Sequence, residues 1–236
     1  AASQRVAQDA MADKMGGQGP VVKLFSFVVT TVLDPLLSFF RKNGMQIGIM
    51  ILAFIFLFKI GEAFMGKMSI VFYKEVGFSK SDIALYSKGL GWITTVTFTL
   101  IGGFFALRTG VVRALLISGI AMAGTNILFS VLAWVGPNEL LFAFAVIVDD
   151  LAAAFATVAF VTFISLLVDR NYTATQYALL ASIGTLGRTL LASSSGALVD
   201  GLGGDWGLFF ILTAIMVIPS LLLLWKLRHK LQNLAK

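Results

Sequence analysis

Residues 46–66 read QIGIMILAFIFLFKIGEAFMG, a run that is long and apolar enough to cross the hydrocarbon core of a bilayer as one helix. Two charged residues, Lys59 and Glu62, stand inside it. A charged side chain near the middle of a spanning helix costs about 2.5–3.5 kcal/mol on insertion scales. Because Lys59 and Glu62 are spaced i, i+3, they share one helix face. They are either a self-neutralised pair that lets the helix insert or part of a polar pathway through the membrane.

The composition of the whole chain is typical of a membrane protein. Hydrophobic residues make up 58% of the 236 residues and charged residues only 13%, whereas soluble domains have about 25% charged residues. The mean hydropathy is +0.91. The sequence therefore predicts an all-α integral membrane fold with six transmembrane helices, at about 46–66, 84–107, 112–135, 140–168, 176–199 and 207–226.

The flanking residues divide into three smaller parts. Residues 1–20 are small and polar, so they predict a flexible linker and a chain that is the C-terminal piece of something larger. Residues 21–44 predict an interfacial amphipathic helix with a connector, because Asp34 and Pro35 would fall deep inside a spanning helix; a seventh span is the alternative. The six-helix domain is assigned to residues 45–228, and a basic cytoplasmic tail to residues 229–236.

Lysine and arginine residues are distributed unequally between the two predicted faces of the membrane. Positive residues near spans concentrate on the cytoplasmic side. The side that holds both chain ends has twelve: Arg5, Lys14, Lys23, Arg41, Lys42, Arg108, Arg113, Arg170, Lys226, Arg228, Lys230 and Lys236. The opposite side has three, Lys67, Lys74 and Lys80. The sequence therefore predicts a multi-pass protein with both termini in the cytoplasm.

Several functional classes are excluded by residue content. The chain has no cysteine and one histidine, His229, which lies in the basic tail. Thiolate metal sites and histidine-based catalysis are therefore excluded within this chain, and we expect no metal and no cofactor. No basic patch interleaved with aromatic residues lies outside the apolar segments, so nucleic acid is not an expected partner.

Six acidic or basic residues lie inside the predicted spans, away from the span ends, and are the candidates for substrate binding or proton coupling. Such residues face a bundle interior or a water-filled cavity much more often than lipid. They are Lys59, Glu62, Lys88, Asp149, Asp150 and Arg188. Adjacent residues on a helix point about 100° apart, so Asp149 and Asp150 cannot share one environment. We expect one to pair with Lys88 or Arg188 and the other to carry a proton. The small residues around them fit either a cavity wall or close helix packing.

Five blocks of the sequence are similar to the C-terminal half of the AmpG-type muropeptide permeases of the major facilitator superfamily. They are LFKIGEAF (57–64), GFSKSDIALYSKGLG (77–91), VRALLISGI (112–120), NYTATQYALLASIGTLGR (171–188) and DWGLFFILTAIMVIPSLLLL (205–224). GGFFALRTGVVRA (102–114) resembles the conformational loop of that superfamily, with Gly103, Arg108, Gly110 and Arg113 in place. Leu107 replaces the usual acidic residue of the loop.

The resemblance implies one half of a twelve-helix transporter of the bacterial inner membrane. It implies proton-driven import of anhydro-muropeptides in cell-wall recycling, with lipid, protons, a small-molecule cargo and an N-terminal six-helix half as partners. Such cargo has sugars and carboxylates, so Arg188 is a candidate contact for a carboxylate and Trp92 or Tyr177 for a sugar ring. A facilitator of another organic anion, such as acetyl-coenzyme A, is the alternative.

Two other classes of protein remain as competing interpretations. A membrane-embedded enzyme, such as a lipid-sugar transferase, needs a catalytic cluster near the headgroups. The loops here are short, and the conspicuous polar residues lie inside the spans. A scaffold subunit without cargo predicts that the charges within the spans pair only with each other. The sequence favours a secondary transporter over both.

Overall fold

A computed structural model describes residues 29–169 and 172–234, and within these ranges the chain is helical with no strand. Five helical segments of this part are long and apolar enough to cross a membrane: Met45–Val76, Lys80–Thr109, Val111–Val135, Glu139–Leu167 and Trp206–Leu231. The predicted all-α membrane fold is confirmed. The predicted linker, residues 1–20, lies outside the described residues.

The segment before the first span is a π-helical turn, Val29–Leu33, followed by helix α1, Asp34–Asn43. Pro35 lies in the first turn of α1, where a missing N–H is tolerated. The helix ends at Gly44, whose φ of 78° lies in a region that favours glycine. The interfacial helix predicted at 21–44 thus coincides with helical structure over residues 29–43, while residues 21–28 lie outside the described residues.

The first span is interrupted at its centre. Helix α2, Met45–Leu57, ends one residue before the turn formed by Phe58 and Lys59, and α3, Ile60–Val76, continues beyond it. Lys59 leaves the α-helical region with φ −93° and ψ 18°. An uninterrupted helix was expected from the apolar pattern. The interruption places the charged pair at a helix junction, where backbone groups need partners other than their own helix.

The second span begins with a short helix and a π-helical segment. Helix α4, Lys80–Asp82, is capped by Ser79, whose hydroxyl accepts from the Asp82 N–H while the Asp82 carboxylate accepts from the Ser79 N–H. The π-helical segment is Ile83–Leu90, and helix α5, Gly91–Thr109, follows it. A π-helix turns more slowly per residue than an α-helix. Lys88 therefore does not lie on the face of α5 where regular α-helical spacing would place it.

The remaining helices are α6, Val111–Val135; α7, Glu139–Leu167; α8, Thr173–Ser193; α9, Ser195–Gly201; and α10, Trp206–Leu234. The fifth predicted span, 176–199, covers most of α8 and α9. It is not among the five apolar segments because Arg188 and many small or hydroxyl-bearing residues lower its hydropathy. Helix α10 continues through residues 229–234, which the sequence assigns to a tail.

Helix packing divides the bundle into two connected groups. Helix α6 packs against α7 and α10, and α5 packs mainly against α7, while α8 packs against α2 and α3. Buried phenylalanines fill the spaces between helices; Phe58 of the α2–α3 turn stacks on Phe160 of α7 at 5.5 Å. These contacts fix α3, α7 and α8 around a common space, which contains the ionisable residues described below.

The Gln176 side chain connects helix α1 with the segment between α7 and α8. Its side chain is buried, donates to the Pro35 carbonyl oxygen at 2.8 Å and accepts from the Asp169 N–H at 2.5 Å. The residue before α8 is Tyr172, which makes no side-chain cap. Thr173 and Gln176 have the spacing of a capping box, but α8 begins at Thr173 and the Gln176 side chain makes other contacts. Gln176 instead holds α1 against the connection between α7 and α8.

We expect Gln176→Leu to destabilise the fold by about 2 kcal/mol, because it removes two hydrogen bonds and leaves the buried Pro35 carbonyl without this donor. Thermal unfolding in detergent measures the change. Gln46→Leu is the matched control, since Gln46 is exposed on α2. Equal melting temperatures for the two variants would contradict a structural role for the Gln176 side chain.

Candidate functional site

Three of the predicted residues form a continuous ionic chain between helices. The Lys59 Nζ lies 2.9 Å from Glu62 Oε2, and Arg188 Nη2 of α8 lies 3.5 Å from Glu62 Oε1. Lys59 Nζ also donates to Thr157 Oγ1 of α7 at 2.8 Å. Glu62 thus bridges a cation from its own span and a cation from α8. The self-neutralised pair that the sequence allows is present, but it is not isolated.

The ionic chain adjoins an open groove that consists of two cavities. The smaller, about 210 Å³, is lined by Lys59, Thr157 and Tyr177 together with apolar side chains of α7. The larger, about 350 Å³, lies between α3 and α8. Thr185 and Arg188 line both cavities, so they mark the boundary between them. Water and a polar ligand can therefore reach Arg188 from either cavity.

The three charged side chains differ in accessibility. Their exposed fractions are 14% for Lys59, 21% for Glu62 and 48% for Arg188. The contact of Arg188 with Glu62 is also the longest one in the ionic chain. A guanidinium has five N–H donors in a fixed fork, and this one is only loosely engaged by Glu62. Arg188 is therefore the member best placed to bind a further anion.

Small residues make room for the ionic chain. A Cβ atom built on Gly66 of α3 would lie 3.5 Å from Arg188 Nη2. A Cβ atom on Gly184 of α8 would lie 3.0 Å from the Phe160 ring. Both glycines are helical, so neither is required by a turn. The close packing that the sequence suggests for these small residues occurs at Gly184, while Gly66 leaves space beside a charged group.

The two aspartates occupy separate environments, as their adjacent positions require. The Thr125 hydroxyl of α6 donates to Asp149 Oδ1 at 2.8 Å, and the Thr94 hydroxyl of α5 donates to Asp150 Oδ2. Neither aspartate has a lysine or arginine partner among the described residues. The expected ion pair with Lys88 or Arg188 is therefore wrong. Neutral hydroxyl groups on α5 and α6 are the nearest polar partners, and Glu62 is the acid that Arg188 contacts.

Lys88 and Trp92 do not line the groove. Both side chains are exposed, and Trp92 is 73% exposed on α5. Lys88 lies inside the π-helical segment Ile83–Leu90, so its direction relative to α5 differs from that in a regular helix, whereas Trp92 lies within α5. Gly91, the neighbour of Trp92, faces inward instead, with Asp150 Oδ2 3.2 Å from where its Cβ would be. Tyr177, the other predicted sugar contact, does line the smaller cavity.

The predicted conformational loop is shorter than its sequence suggests. Only Gly110 separates α5 from α6, and its φ of 81° permits the sharp turn. Arg108 lies over the Phe104 ring at 4.4 Å, and Arg113 is exposed in the first turn of α6. Gly103 lies inside α5 with open space around it. These residues lie on or between α5 and α6, away from the groove.

Comparison with known proteins shows relatives over most of the chain. The chain is 34% identical over 202 residues to AmpG 4 of Rickettsia conorii, which is named as a transporter; the match covers 86% of this chain and 48% of that protein. It is 31% identical over 202 residues to the anhydromuropeptide permease of Escherichia coli K12, covering 85% of this chain and 40% of the permease. The chain is homologous to the AmpG-type permeases. It spans about half the length of the curated relatives it matches, and no family model matches it.

The names of the AmpG-type relatives bear on the class of this protein and on its location in the cell. They are named as transporters or permeases, so the proteins that this chain resembles are transport proteins and not enzymes. AmpG 1 of Rickettsia bellii, 30% identical over 205 residues, covers 85% of this chain and 50% of its own length. Together with the five apolar helices, these bacterial relatives support a multi-pass protein of the bacterial inner membrane.

Several residues of the groove were not singled out from the sequence. Thr157 bonds to Lys59, and Thr185 lies between the two cavities. Lys67, which the sequence assigns to a loop, is part of α3 and lines the larger cavity. The spacing of Thr185 from Arg188 is i, i+3, which places them on one face. That spacing could have indicated Thr185. Thr157 follows Asp150 at i+7 on the same face of α7, but that spacing does not indicate the bond to Lys59.

Proposed function

We propose that the chain is the C-terminal, six-helix half of a secondary transporter that imports anhydro-muropeptides across the bacterial inner membrane together with protons. The whole protein is of the major facilitator type, with both termini in the cytoplasm, and works by alternating access. The observation that supports this most strongly is the chain Lys59–Glu62–Arg188 beside an open groove within the spans. Transporters bind cargo and coupling ions at such depths.

The groove has groups that suit an acidic sugar-peptide. Arg188 offers a planar fork for a carboxylate, which it can bind with two parallel hydrogen bonds. Tyr177 and Phe160 line the smaller cavity and give flat apolar surfaces for a sugar ring. Lys59 contacts Glu62 and donates a hydrogen bond to Thr157. These contacts keep the Lys59–Glu62 pair in place, while Arg188 stays accessible.

A second six-helix half is part of the proposal. The groove is open along one side, and helix α5 exposes large apolar side chains such as Trp92, Leu100 and Leu107. Only 17% of the apolar stretch in the second span is buried. The relatives are about twice as long as this chain. An N-terminal half of matching size would close the groove, and rocking of the two halves would expose it to each side alternately.

The hydrogen bonds of the aspartates support a role in proton coupling. The Thr125 hydroxyl has one proton but lies within hydrogen-bond distance of two acceptors, Asp149 Oδ1 at 2.8 Å and the Met122 carbonyl oxygen at 3.0 Å. A protonated Asp149 donates to Thr125 Oγ1, and the threonine proton is then free for Met122. Thr94 has the same arrangement, with Asp150 and the Gly91 carbonyl oxygen as acceptors. Both carboxyl groups can therefore hold a proton without losing their partner.

Proteoliposomes that contain the full-length protein test the function and the coupling. We expect labelled anhydro-muropeptide to accumulate inside the vesicles only when an inward proton gradient is imposed across their membrane. Asp149→Asn mimics the protonated acid, since its amide can donate to Thr125. At least one of Asp149→Asn and Asp150→Asn should lose gradient-driven accumulation by tenfold or more while exchanging labelled for unlabelled cargo at the wild-type rate.

Asn138→Asp serves as the control for these variants, because Asn138 caps α7 at its exposed end, where an aspartate can replace it. Accumulation and pH response that stay unchanged in both aspartate variants would refute proton coupling through this pair. Failure of the wild-type protein to take up anhydro-muropeptide under any gradient would refute the proposed cargo. A second organic anion, such as acetyl-coenzyme A, would then be tested in the same vesicles.

A further inference from the structure

The larger cavity has an excess of positive charge that the ionic chain does not neutralise. Three cations, Lys59, Lys67 and Arg188, lie along the groove with one anion, Glu62, so the balance is three minus one, or two positive charges. Glu62 contacts Lys59 and Arg188, and no ion pair of Lys67 occurs within residues 29–169 and 172–234. Lys67 and Arg188 both line the larger cavity, which therefore suits an anionic ligand group.

The opposite wall of the larger cavity consists of hydroxyl groups at regular spacing. Thr185, Thr189 and Ser193 follow each other at i, i+4 and i+8 on α8, which places them along one face. Thr185 Oγ1 donates to the Ala181 carbonyl oxygen at 3.0 Å, and Ser193 Oγ donates to that of Leu190 at 2.6 Å. Their protons are thus used within the helix. The lone pairs that remain can accept hydrogen bonds from N–H or O–H groups of a ligand.

Small residues on α3 keep this space open. Ala63 and Gly66 line the cavity opposite the hydroxyl groups, and larger side chains at these positions would fill it. The cavity of about 350 Å³ lies within the range of small-molecule sites. It joins the smaller cavity at Arg188, so one extended ligand can occupy both.

We propose that the larger cavity is a subsite for a carboxylate-bearing end of the cargo. Lys67 and Arg188 hold the carboxylate, and the oxygens of Thr185 and Ser193 accept from N–H or O–H groups beside it. Lys67, which the sequence places in a loop, thereby becomes a residue of the binding site. The subsite selects a group that has an anion and hydrogen-bond donors together, as an amino-acid-like terminus does. This inference rests on the proposed transport function.

Two ligands separate the subsite from the rest of the groove. One is anhydro-muropeptide with its peptide carboxylates free, and the other is the same compound with those carboxylates converted to amides. Equilibrium binding to the purified full-length protein is measured for both. We expect Lys67→Gln to weaken binding of the free acid about tenfold, as loss of one charge-assisted hydrogen bond predicts. Binding of the amide should stay the same, and Lys67→Arg should restore most of the affinity for the free acid.

Lys74→Gln is the matched control, because Lys74 is exposed on the same helix and does not line either cavity. It should bind both compounds as the wild type does. Lys67→Gln and Lys74→Gln variants that bind the free acid equally well would overturn the subsite while leaving the transport function intact. Lack of saturable binding of either compound by the wild type would overturn the proposed function and the subsite with it.

Discussion

Replacement of Arg188 by glutamine is expected to lower the initial rate of cargo uptake about 100-fold in the full-length transporter. Arg188 is half exposed, lines both cavities and is held only by the 3.5 Å contact to Glu62. Its two parallel hydrogen bonds to a cargo carboxylate contribute about 3 kcal/mol, which corresponds to roughly this factor. Arg188→Lys keeps the charge but loses the planar fork, so we expect about a tenfold loss. Uptake of labelled anhydro-muropeptide, normalised to protein in the membrane, gives both values.

The Arg188 variants should remain folded. Without the guanidinium, Glu62 keeps its 2.9 Å contact with Lys59, so the groove contains a neutral pair and no isolated buried charge. Arg41→Gln is the control for the same chemical change at an exposed position on α1. Transport by Arg188→Gln within twofold of the wild type would mean that the guanidinium does not contact the cargo.

The pairing within the first span could be predicted from the sequence, whereas its connection to α8 could not. Lys59 and Glu62 are spaced i, i+3, and local geometry alone brings their charged ends together. The contact of Glu62 with Arg188 depends on how α8 packs against α3, for which the sequence offers only depth in the membrane. Glu62, Asp149 and Asp150 all lie within predicted spans, so the sequence has no means to choose the acid that contacts Arg188.

The orientation of side chains around the helices was the least predictable property. The sequence makes Lys88 a candidate for cargo binding or proton coupling, but the π-helical segment Ile83–Leu90 changes the direction of Lys88 relative to α5. A π-helix has no strong residue signature, because it depends on the packing of neighbouring helices. The hydroxyl partners Thr94 and Thr125 were missed for another reason: threonine is common in spans and bonds equally well to its own backbone.

The break between α2 and α3 was also invisible in the apolar pattern. Phe58 and Lys59 form the turn, although neither is a residue type that ends helices. Apolar burial determines that a segment spans the membrane, and five of the six predicted spans coincide with helical segments that are long and apolar enough to cross it. Where a span departs from a regular helix depends on the packing of its neighbours, which the apolar pattern of one span does not contain.

Gly187→Ala is expected to destabilise the folded protein by about 3 kcal/mol, the largest effect we expect from a single methyl group. A Cβ atom at Gly187 of α8 would overlap the backbone carbonyl oxygen of Phe56 in α2. A side chain can rotate away from such a contact, but a helix backbone can yield only if α8 and α2 separate. Overpacking of this kind costs typically 1–3 kcal/mol, and a rigid obstacle places the cost at the upper end. A melting temperature lowered by roughly 6–12 °C in detergent would correspond to that loss.

Gly124→Ala provides the matched comparison, because Gly124 lies inside α6 and a Cβ atom there meets nothing within 4 Å. Alanine is the better helix former by about 1 kcal/mol, so this variant should be as stable as the wild type or more so. The Gly187 variant should also lose transport, since separation of α8 from α2 moves Arg188 away from Glu62. If Gly187→Ala melts at the same temperature as Gly124→Ala, then α8 does not approach α2 as closely as described, and the ionic chain that depends on this approach is not formed.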